Sequence, residues 1–535
     1  MKAIDGYDKL RGGYYTPSNI AEFIIRWANI SPLNSVLEPS CGDGSFLAAI
    51  KECCFQNISS VIGIELDPLE ADKARKYGYE VINKDFFTYY AVHVEEKRKF
   101  DVIVGNPPFI RYQSFAEEYR TVAFELMKKH GFHPNRLTNI WLPFLLLSSE
   151  ALTENGKIGM VIPAELFQVD YSAEARNYLS THFDKLTLVT FKKLVFDNIQ
   201  QEVVLLLGEK RSSDKGIRIV ELDGLDELIN QGLSCLNRAE TKKLDHNTDK
   251  WVKYYLSNEE LDVLKRLNED ERISDATDLF EVNVGLVSGE NDFFLTSWET
   301  VQERHIEDSV VPIISRAEQV KGVVLSDSEY IALRDSGKRV SLFAPGDRPL
   351  EDLDENARAY IAWGESKGYS KNYKCRIRKR WYHVPSSWTA DAFLIRQANL
   401  YPKMIINTAG ALVTDTLHKV RFLEGIDGRA VAAAFLNTYT LALSETLGRS
   451  YGGGVLTFEP GEMRRMRIPM LSSDRLDIQK IDHLQRAGKY EDILRYTDQI
   501  LMREGLQLSE REIDLLHCIW DKMRTRRLSR KQSYN

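Results

Sequence analysis

Between about residues 35 and 210 the chain alternates short apolar runs with longer stretches of helical period. Seven runs read as strands: Ser35 to Leu37, Val61 to Glu65, Val81 to Asn83, Asp101 to Val104, Ile158 to Ile162, Leu186 to Phe191 and Val203 to Leu207. Strands that alternate with helical patterns in this way predict an α/β fold, a Rossmann-like, mostly parallel seven-stranded sheet. After Gly208 the alternation fades, and the polar run EKRSSDKG has the composition of a linker. The second half mixes short strands, turns and helices, and from about Ile478 the pattern is helical, ending in the basic run RTRRLSRKQ. The expected organisation is a first domain at 1–215, a linker at 216–250, a mixed α+β domain at 251–475, a helical segment at 476–525 and a disordered basic tail at 526–535.

Composition narrows the class. With 535 residues, 43% apolar and 28% charged, the chain reads as a soluble protein of more than one domain. No run approaches the ~18 apolar residues of a membrane span, and Met1 to Leu10 lacks the apolar core of a signal peptide, so a cytoplasmic protein without a membrane partner is expected. Cys41, Cys53, Cys54, Cys235, Cys375 and Cys518 form no CxxC pair, which predicts reduced thiols and no metal site. A net charge of −7 does not exclude a polyanion, because binding depends on where the charge sits.

The chemistry gathers at the strand ends. FDVIVGNPPFIRYQ closes an apolar strand with Asn106, Pro107, Pro108 and Phe109, where two prolines fix a loop presenting an amide, backbone carbonyls and a flat ring. Such a set suits a planar substrate bearing an NH2 group. VLEPSCGDGSFLAAI places Glu38, Cys41, Gly42 and Gly44 between a strand and a helix, but Leu47 stands where a dinucleotide loop needs its third glycine. IGIELDP puts Glu65 at the distance from those glycines at which an acid reaches a ribose diol, and NKDFF offers Asp85 as an acceptor and Phe86 as an apolar face. Each acid alone reads first as a solvated loop residue or helix cap. Together they suit S-adenosylmethionine better than NAD or ATP.

With YYTP (Tyr14 to Pro17), EPSCGDG (Glu38 to Gly44), Glu65, DFF (Asp85 to Phe87) and NPPF (Asn106 to Phe109) in that order, the chain resembles the N6-adenine-specific DNA methyltransferases of type II restriction-modification systems. In that family the cofactor motifs precede the catalytic loop and a target-recognition region follows. The resemblance covers roughly the first 210 residues; GLVSGENDFFL (Gly285 to Leu295) and SYGGGVLTFEPGEMRRMRIP (Ser450 to Pro469) look like pieces of the same family's recognition region. It implies a class I S-adenosylmethionine-dependent domain with Thr16, Glu38, Gly42, Glu65, Asp85 and Phe86 lining the cofactor site. Cys41 and Gly44 of the same loop, and Asn106, are grouped with them. Asn106 to Phe109 would be catalytic, with Phe109 in place of the family's frequent Tyr.

On this reading the Asn106 amide oxygen and the Pro107 carbonyl take the two N6 hydrogens of an adenine flipped out of the duplex. Phe109 and, on the resemblance, Phe196 would stack on the flipped base, whereas from the residues alone Phe196 reads as packed under its loop. KNYKCRIRKRWYHVPSS, with Lys371, Lys374, Arg376, Arg378, Lys379, Arg380, Trp381 and Tyr382, suits a DNA groove, as well as the plain alternative of a solvated charged face. Arg316, Arg396, Arg464, Arg465 and Arg467 are further basic candidates. The expected partner is double-stranded DNA, met by a monomer; the family also implies a cognate restriction endonuclease acting on the same sequence without having to bind this chain. Methylation of a protein glutamine at N5 or of RNA guanine at N2, and a non-catalytic DNA-binding subunit, stand as the alternatives.

Overall fold

The computed structural model describes residues 15–54, 58, 60–111, 114–193, 195–196, 202–247, 249–385, 388–450 and 454–532. Tyr14, Ser387, the glycines Gly452 and Gly453 and the last three residues of the tail lie outside them. The described chain forms two compact units, one reaching to Leu261 and including the chain from Ser529 on, the other Asp262–Leu528.

In the first unit the seven apolar runs become β1 (Ser35–Glu38), β2 (Ser60–Glu65), β3 (Glu80–Asn83), β4 (Phe100–Gly105), β5 (Leu152–Pro163), β6 (Lys185–Phe191) and β7 (Val203–Glu209). An eighth strand, β8 (Gly216–Leu222), is added where a linker was expected, so EKRSSDKG is the turn joining β7 to β8. The reason is apolar: Ile217, Ile219, Val220 and Leu222 are all buried, and β8 pairs in parallel with β6 along its whole length. The sheet order is β3-β2-β1-β4-β5-β7-β6-β8, with β7 antiparallel to both β5 and β6.

Register sorts the side chains between the two faces. Leu37 lies opposite Ile62 and Ile103, and Ile103 opposite Ile158; these four join one core cluster. Val36, Val61 and Val102, one residue away, join the cluster on the opposite face. Both faces are therefore buried, which is why the strands read as continuous apolar runs. Each fully buried Leu, Ile or Val contributes about 1.5–3 kcal/mol against exposure.

Helices cover these faces. α1 (Ser18–Ala28) buries Ile20, Phe23 and Ile24, α2 (Ser45–Cys53) follows the glycine loop, and α3 (Pro68–Ala74) starts on a proline after Asp67, whose Oδ1 accepts the Leu69 and Glu70 N–H groups. α4 (Phe86–Tyr89), α5 (Glu117–Lys129) and α6 (Trp141–Glu150) follow. α6 is apolar on nearly every side and accordingly buries all its residues from Trp141 to Ser149. Strand order reverses at β1, whose neighbours are β2 on one side and β4 on the other. The crevice outside the carboxyl ends of β1 and β4 is where such sheets bind ligands.

The second unit has a five-stranded sheet in the order Phe280–Val284, Leu417–Phe422, Ala392–Ile395, Met404–Asn407 and Val324–Leu325, and a four-stranded sheet of Leu295–Thr296, Ser341–Phe343, Val310–Ile314 and Leu412–Val413. Gly285 is required where the chain leaves the first of these strands: a Cβ there would stand 2.0 Å from the Thr414 carbonyl oxygen. An aromatic core surrounds Phe293, whose ring lies 5.0 Å from Tyr360 and 4.6 Å from Trp381. The C-terminal helices are Ile478–Arg486, Tyr490–Asp498 and Glu510–Gln532. The last corrects the expectation of disorder from residue 526: the helix continues, and Arg527, 2% exposed, pairs with buried Glu445 at 2.7 Å.

Candidate functional site

A cavity of about 440 Å³ opens at the carboxyl ends of β1 to β4. The residues that follow each strand line it: Glu38, Cys41 and Gly42 after β1, Glu65 after β2, Asp85 and Phe86 after β3, Asn106 and Pro108 after β4, with Thr16 before α1. Eight of the nine residues expected at a cofactor site are thus brought together. Gly44 is absent from the wall; it turns the chain into α2 at φ +92°, and a Cβ there would stand 2.8 Å from the Tyr77 ring. The missing side chain lets the loop pack against Tyr77.

Six acids line this cavity, Glu38, Asp43, Glu65, Asp67, Glu70 and Asp85, against one lysine, Lys84, among the described residues. Glu38 is 1% exposed and its Oε2 has no hydrogen-bond partner among the described residues. Burial, then the neighbouring charges of Asp43 and Glu65, hold its carboxyl well above the usual range. A buried carboxylate oxygen left unpaired costs free energy until a donor or cation meets it. Glu65 also has its carboxyl raised, chiefly by burial, and it fixes the loop: Oε2 accepts the Gly42 N–H at 2.8 Å and Oε1 the Asp67 N–H at 2.8 Å. Each oxygen keeps a second lone pair for a hydroxyl.

The loop amides discriminate between ligands. Cys41 N–H donates to the Ile64 carbonyl and Gly44 N–H to the Cys41 carbonyl, both at 2.8 Å, and Gly42 N–H is held by Glu65. These three amides are committed within the protein, so the loop is no phosphate cradle, and the surrounding acids would repel a pyrophosphate. The acceptor set fits a nucleoside that carries positive charge.

Asp85 is also a helix cap. Its Oδ2 accepts the Thr88 N–H at 2.8 Å and the Thr88 hydroxyl at 2.9 Å, while burial raises its carboxyl. Phe86 stacks on Phe144 of α6 at 5.1 Å and 16°. Phe144, Phe115 and Tyr119 line the cavity as well, and sequence reading missed them. Phe144 sits in a run of apolar residues with nothing to distinguish a wall residue from core.

The NPPF loop divides. Asn106 and Pro108 face the cavity, and the Asn106 carbonyl accepts the Ser40 hydroxyl at 3.3 Å, tying the two strand-end loops together. Pro107 is buried, and Phe109 is half-buried against the apolar clusters of both sheet faces; neither lines the cavity. Phe196 corrects its expected place more sharply: it is 7% exposed within a core cluster, so its ring is packed beneath the surface and not displayed to a base.

The basic segment of the second unit also divides. Lys371, Lys374, Arg376 and Lys379 are exposed. The other four expected DNA contacts are held inside the unit. Arg378 donates to the Ser288 and Val287 carbonyls at 2.7 and 2.8 Å, and Arg380 pairs with Asp347 at 2.5 Å. Trp381 packs on Phe293 and donates to Glu365 at 3.0 Å, and buried Tyr382 donates to the Arg348 carbonyl at 2.8 Å. Of the further arginines, Arg396 pairs with Glu459 at 2.7 Å and Arg467 with Asp275 at 2.8 Å, while Arg316, Arg464 and Arg465 are exposed.

Together, the sheet order, the reversed β7 and the strand-end cavity define a Rossmann-like class I methyltransferase fold. Two family models match the chain: "Eco57I restriction-modification methylase" over residues 47–196 and "Type II methyltransferase M.Eco57I, C-terminal domain" over residues 248–502. The chain belongs to this family of type II restriction-modification methyltransferases. It is 24% identical over 513 residues to type II methyltransferase M.AccI of Acinetobacter calcoaceticus, covering 91% of this chain and 92% of the relative. It is 24% identical over 484 residues to M.XamI of Xanthomonas campestris pv. amaranthicola, covering 86% of each. Among solved structures, the type IIL restriction-modification enzyme MmeI, in complex with DNA, shares the fold with a TM-score of 0.56 at 9% identity, over 95% of this chain and 75% of that one. No helix among the described residues is long and apolar enough to cross a membrane.

Proposed function

We propose that this methyltransferase transfers a methyl group from S-adenosylmethionine to N6 of an adenine in a specific double-stranded DNA sequence, as the protective partner of a restriction endonuclease. The observation that carries the reading is the juxtaposition of Asn106 and Pro108 with an acid-lined cavity at the sheet's switch point. When bound, the cofactor supplies a methyl group made electrophilic by a sulfonium. Glu38 would meet positive charge there with its unpaired oxygen, Glu65 a ribose hydroxyl, and Phe86 and Phe144 an apolar ring face.

The catalytic work falls to hydrogen-bond acceptors. Adenine N6 is a poor nucleophile because its lone pair is delocalised into the ring. The Asn106 side-chain oxygen would accept one of its hydrogens and the backbone carbonyl of Pro107, once the base is seated against the loop whose buried side that residue forms, the other; both become better partners as the nitrogen turns pyramidal and its lone pair localises. Such preorganised acceptors act on the transition state more than on the ground state. The base must leave the duplex to reach them.

The test incubates the protein with isotopically labelled S-adenosylmethionine and DNA free of adenine methylation, followed by digestion and mass spectrometry of the nucleosides. N6-methyldeoxyadenosine is the expected product. N4-methyldeoxycytidine would keep the loop chemistry and move the target base, and label found only in protein or RNA would overturn the DNA assignment.

A further inference from the structure

The second unit displays an apolar pair on a rigid base. Tyr373 is 65% exposed and Ile377 59%, one helical turn apart, and Val287, whose carbonyl accepts from Arg378, is 43% exposed. The Arg378 guanidinium pins this turn to the Val287 and Ser288 carbonyls, Asn372 is bonded to the Glu290 carboxylate, and Cys375 is fully buried beneath. Lys371, Lys374, Arg376 and Lys379 are exposed along the same segment, with the Lys374 ammonium 5.9 Å from the Tyr373 ring centroid.

Resting on the DNA-methylation reading above, we propose that Tyr373 and Ile377 are an apolar wedge that packs against a base step of the duplex and opens it, while the flanking cations hold the phosphates. Three features support this. A large aromatic and a branched aliphatic side chain held out on an anchored turn lose little conformational freedom on docking. Apolar residues of this kind enter DNA between base steps, and they bend it as they do so. The exposed cations along the same segment suit a polyanion and disfavour a basic partner. Arg378, Asn372 and buried Cys375 are the support of this wedge, and the exposed members of the segment are its contact surface.

The experiment uses the full-length protein, the duplex it methylates and a scrambled duplex, each of about 30 base pairs and labelled at both ends so that energy transfer reports bending. Tyr373→Ala and Ile377→Ala are each expected to lower affinity for the methylated sequence roughly 10- to 100-fold and to abolish the bend, with affinity for the scrambled duplex and the salt slope unchanged. Tyr373→Phe should behave as wild type. Both positions are exposed, and unaltered thermal unfolding would show that the variants are folded. Unchanged affinity and bending in the alanine variants would overturn the wedge alone. So would a wild-type dimer in sedimentation that Ile377→Ala dissociates without loss of DNA affinity, since the surface would then be a contact between copies. A wild type that neither binds nor methylates any DNA would overturn the DNA-methylation reading together with the wedge.

Discussion

Glu38 and Asn106 divide the chemistry between them, one at the end of β1 and the other at the end of β4. The buried Glu38 carboxyl is held well above its ordinary range, first by desolvation and then by Asp43 and Glu65, so its surroundings in the free protein work against the ionised form. That preference stabilises the fold at low pH and is lost as pH rises through the raised value. A cationic ligand needs the ionised form, so S-adenosylmethionine affinity measured by calorimetry should strengthen as pH rises. Glu38→Gln should bind about 10- to 100-fold more weakly at neutral pH, the worth of a charged hydrogen bond, and lose that pH dependence. Asn106→Ala should reduce single-turnover methyl transfer by about 100- to 1,000-fold, with cofactor affinity nearly unchanged. Near-normal turnover would remove Asn106 from the mechanism. Phe196→Ala now belongs to a different experiment from the one its loop position suggests. Its buried ring predicts a loss of about 3–5 kcal/mol in urea unfolding, and an unchanged 2-aminopurine signal from a flipped base.

Among the elements, the helix Glu510–Gln532 shows how a segment that looks detachable is anchored. Arg527 meets Glu445 through two hydrogen bonds, at 2.7 and 3.0 Å, and donates to the Asn399 carbonyl at 2.7 Å. Burial pushes the Glu445 carboxyl up and the guanidinium pulls it down, the first effect being the larger. Such a pair adds little against an apolar substitute, but breaking it strands a charge. Arg527→Ala should therefore cost about 3–5 kcal/mol in chemical denaturation, and the double change Arg527→Met with Glu445→Leu far less. Equal losses in the two would mean that the charges do not act as a pair. The basic run at 524–531 reads as a solvated tail because sequence does not show that the acid 82 residues earlier lies at the same helix.

For the whole molecule, the net charge of −7 is unevenly used. Acids concentrate at the cofactor cavity, where they select a cation, and exposed bases at residues 371–379, where they suit phosphate. Removing Lys371, Lys374, Arg376 or Lys379 singly should weaken binding to all DNA sequences alike and reduce the slope of log affinity against log salt by about 1. An unchanged slope across all four would place the phosphate contacts elsewhere. Arg380→Ala, by contrast, breaks an ion pair to Asp347 and should leave that slope nearly intact.

What the sequence determined by itself is what local pattern and short spacing control. Strands buried on both faces must be apolar throughout, helices must follow, and a loop at a strand's end must be built from residues next to it in the chain. Hence the sheet, the order of its first seven strands along the chain, and Thr16, Glu38, Glu65, Asp85 and Asn106 were legible, each placed by its own strand or helix. Tertiary structure alone decided which side chains are spent on holding the fold. Phe196, Trp381 and Tyr382 carry the right chemistry for stacking on bases, but all three are drawn into apolar clusters or internal hydrogen bonds. Phe144, which has no mark in sequence, becomes part of the cavity wall because α6 packs there. An aromatic or cationic side chain satisfies a core as readily as a ligand, and which of the two it meets depends on contacts that span the fold.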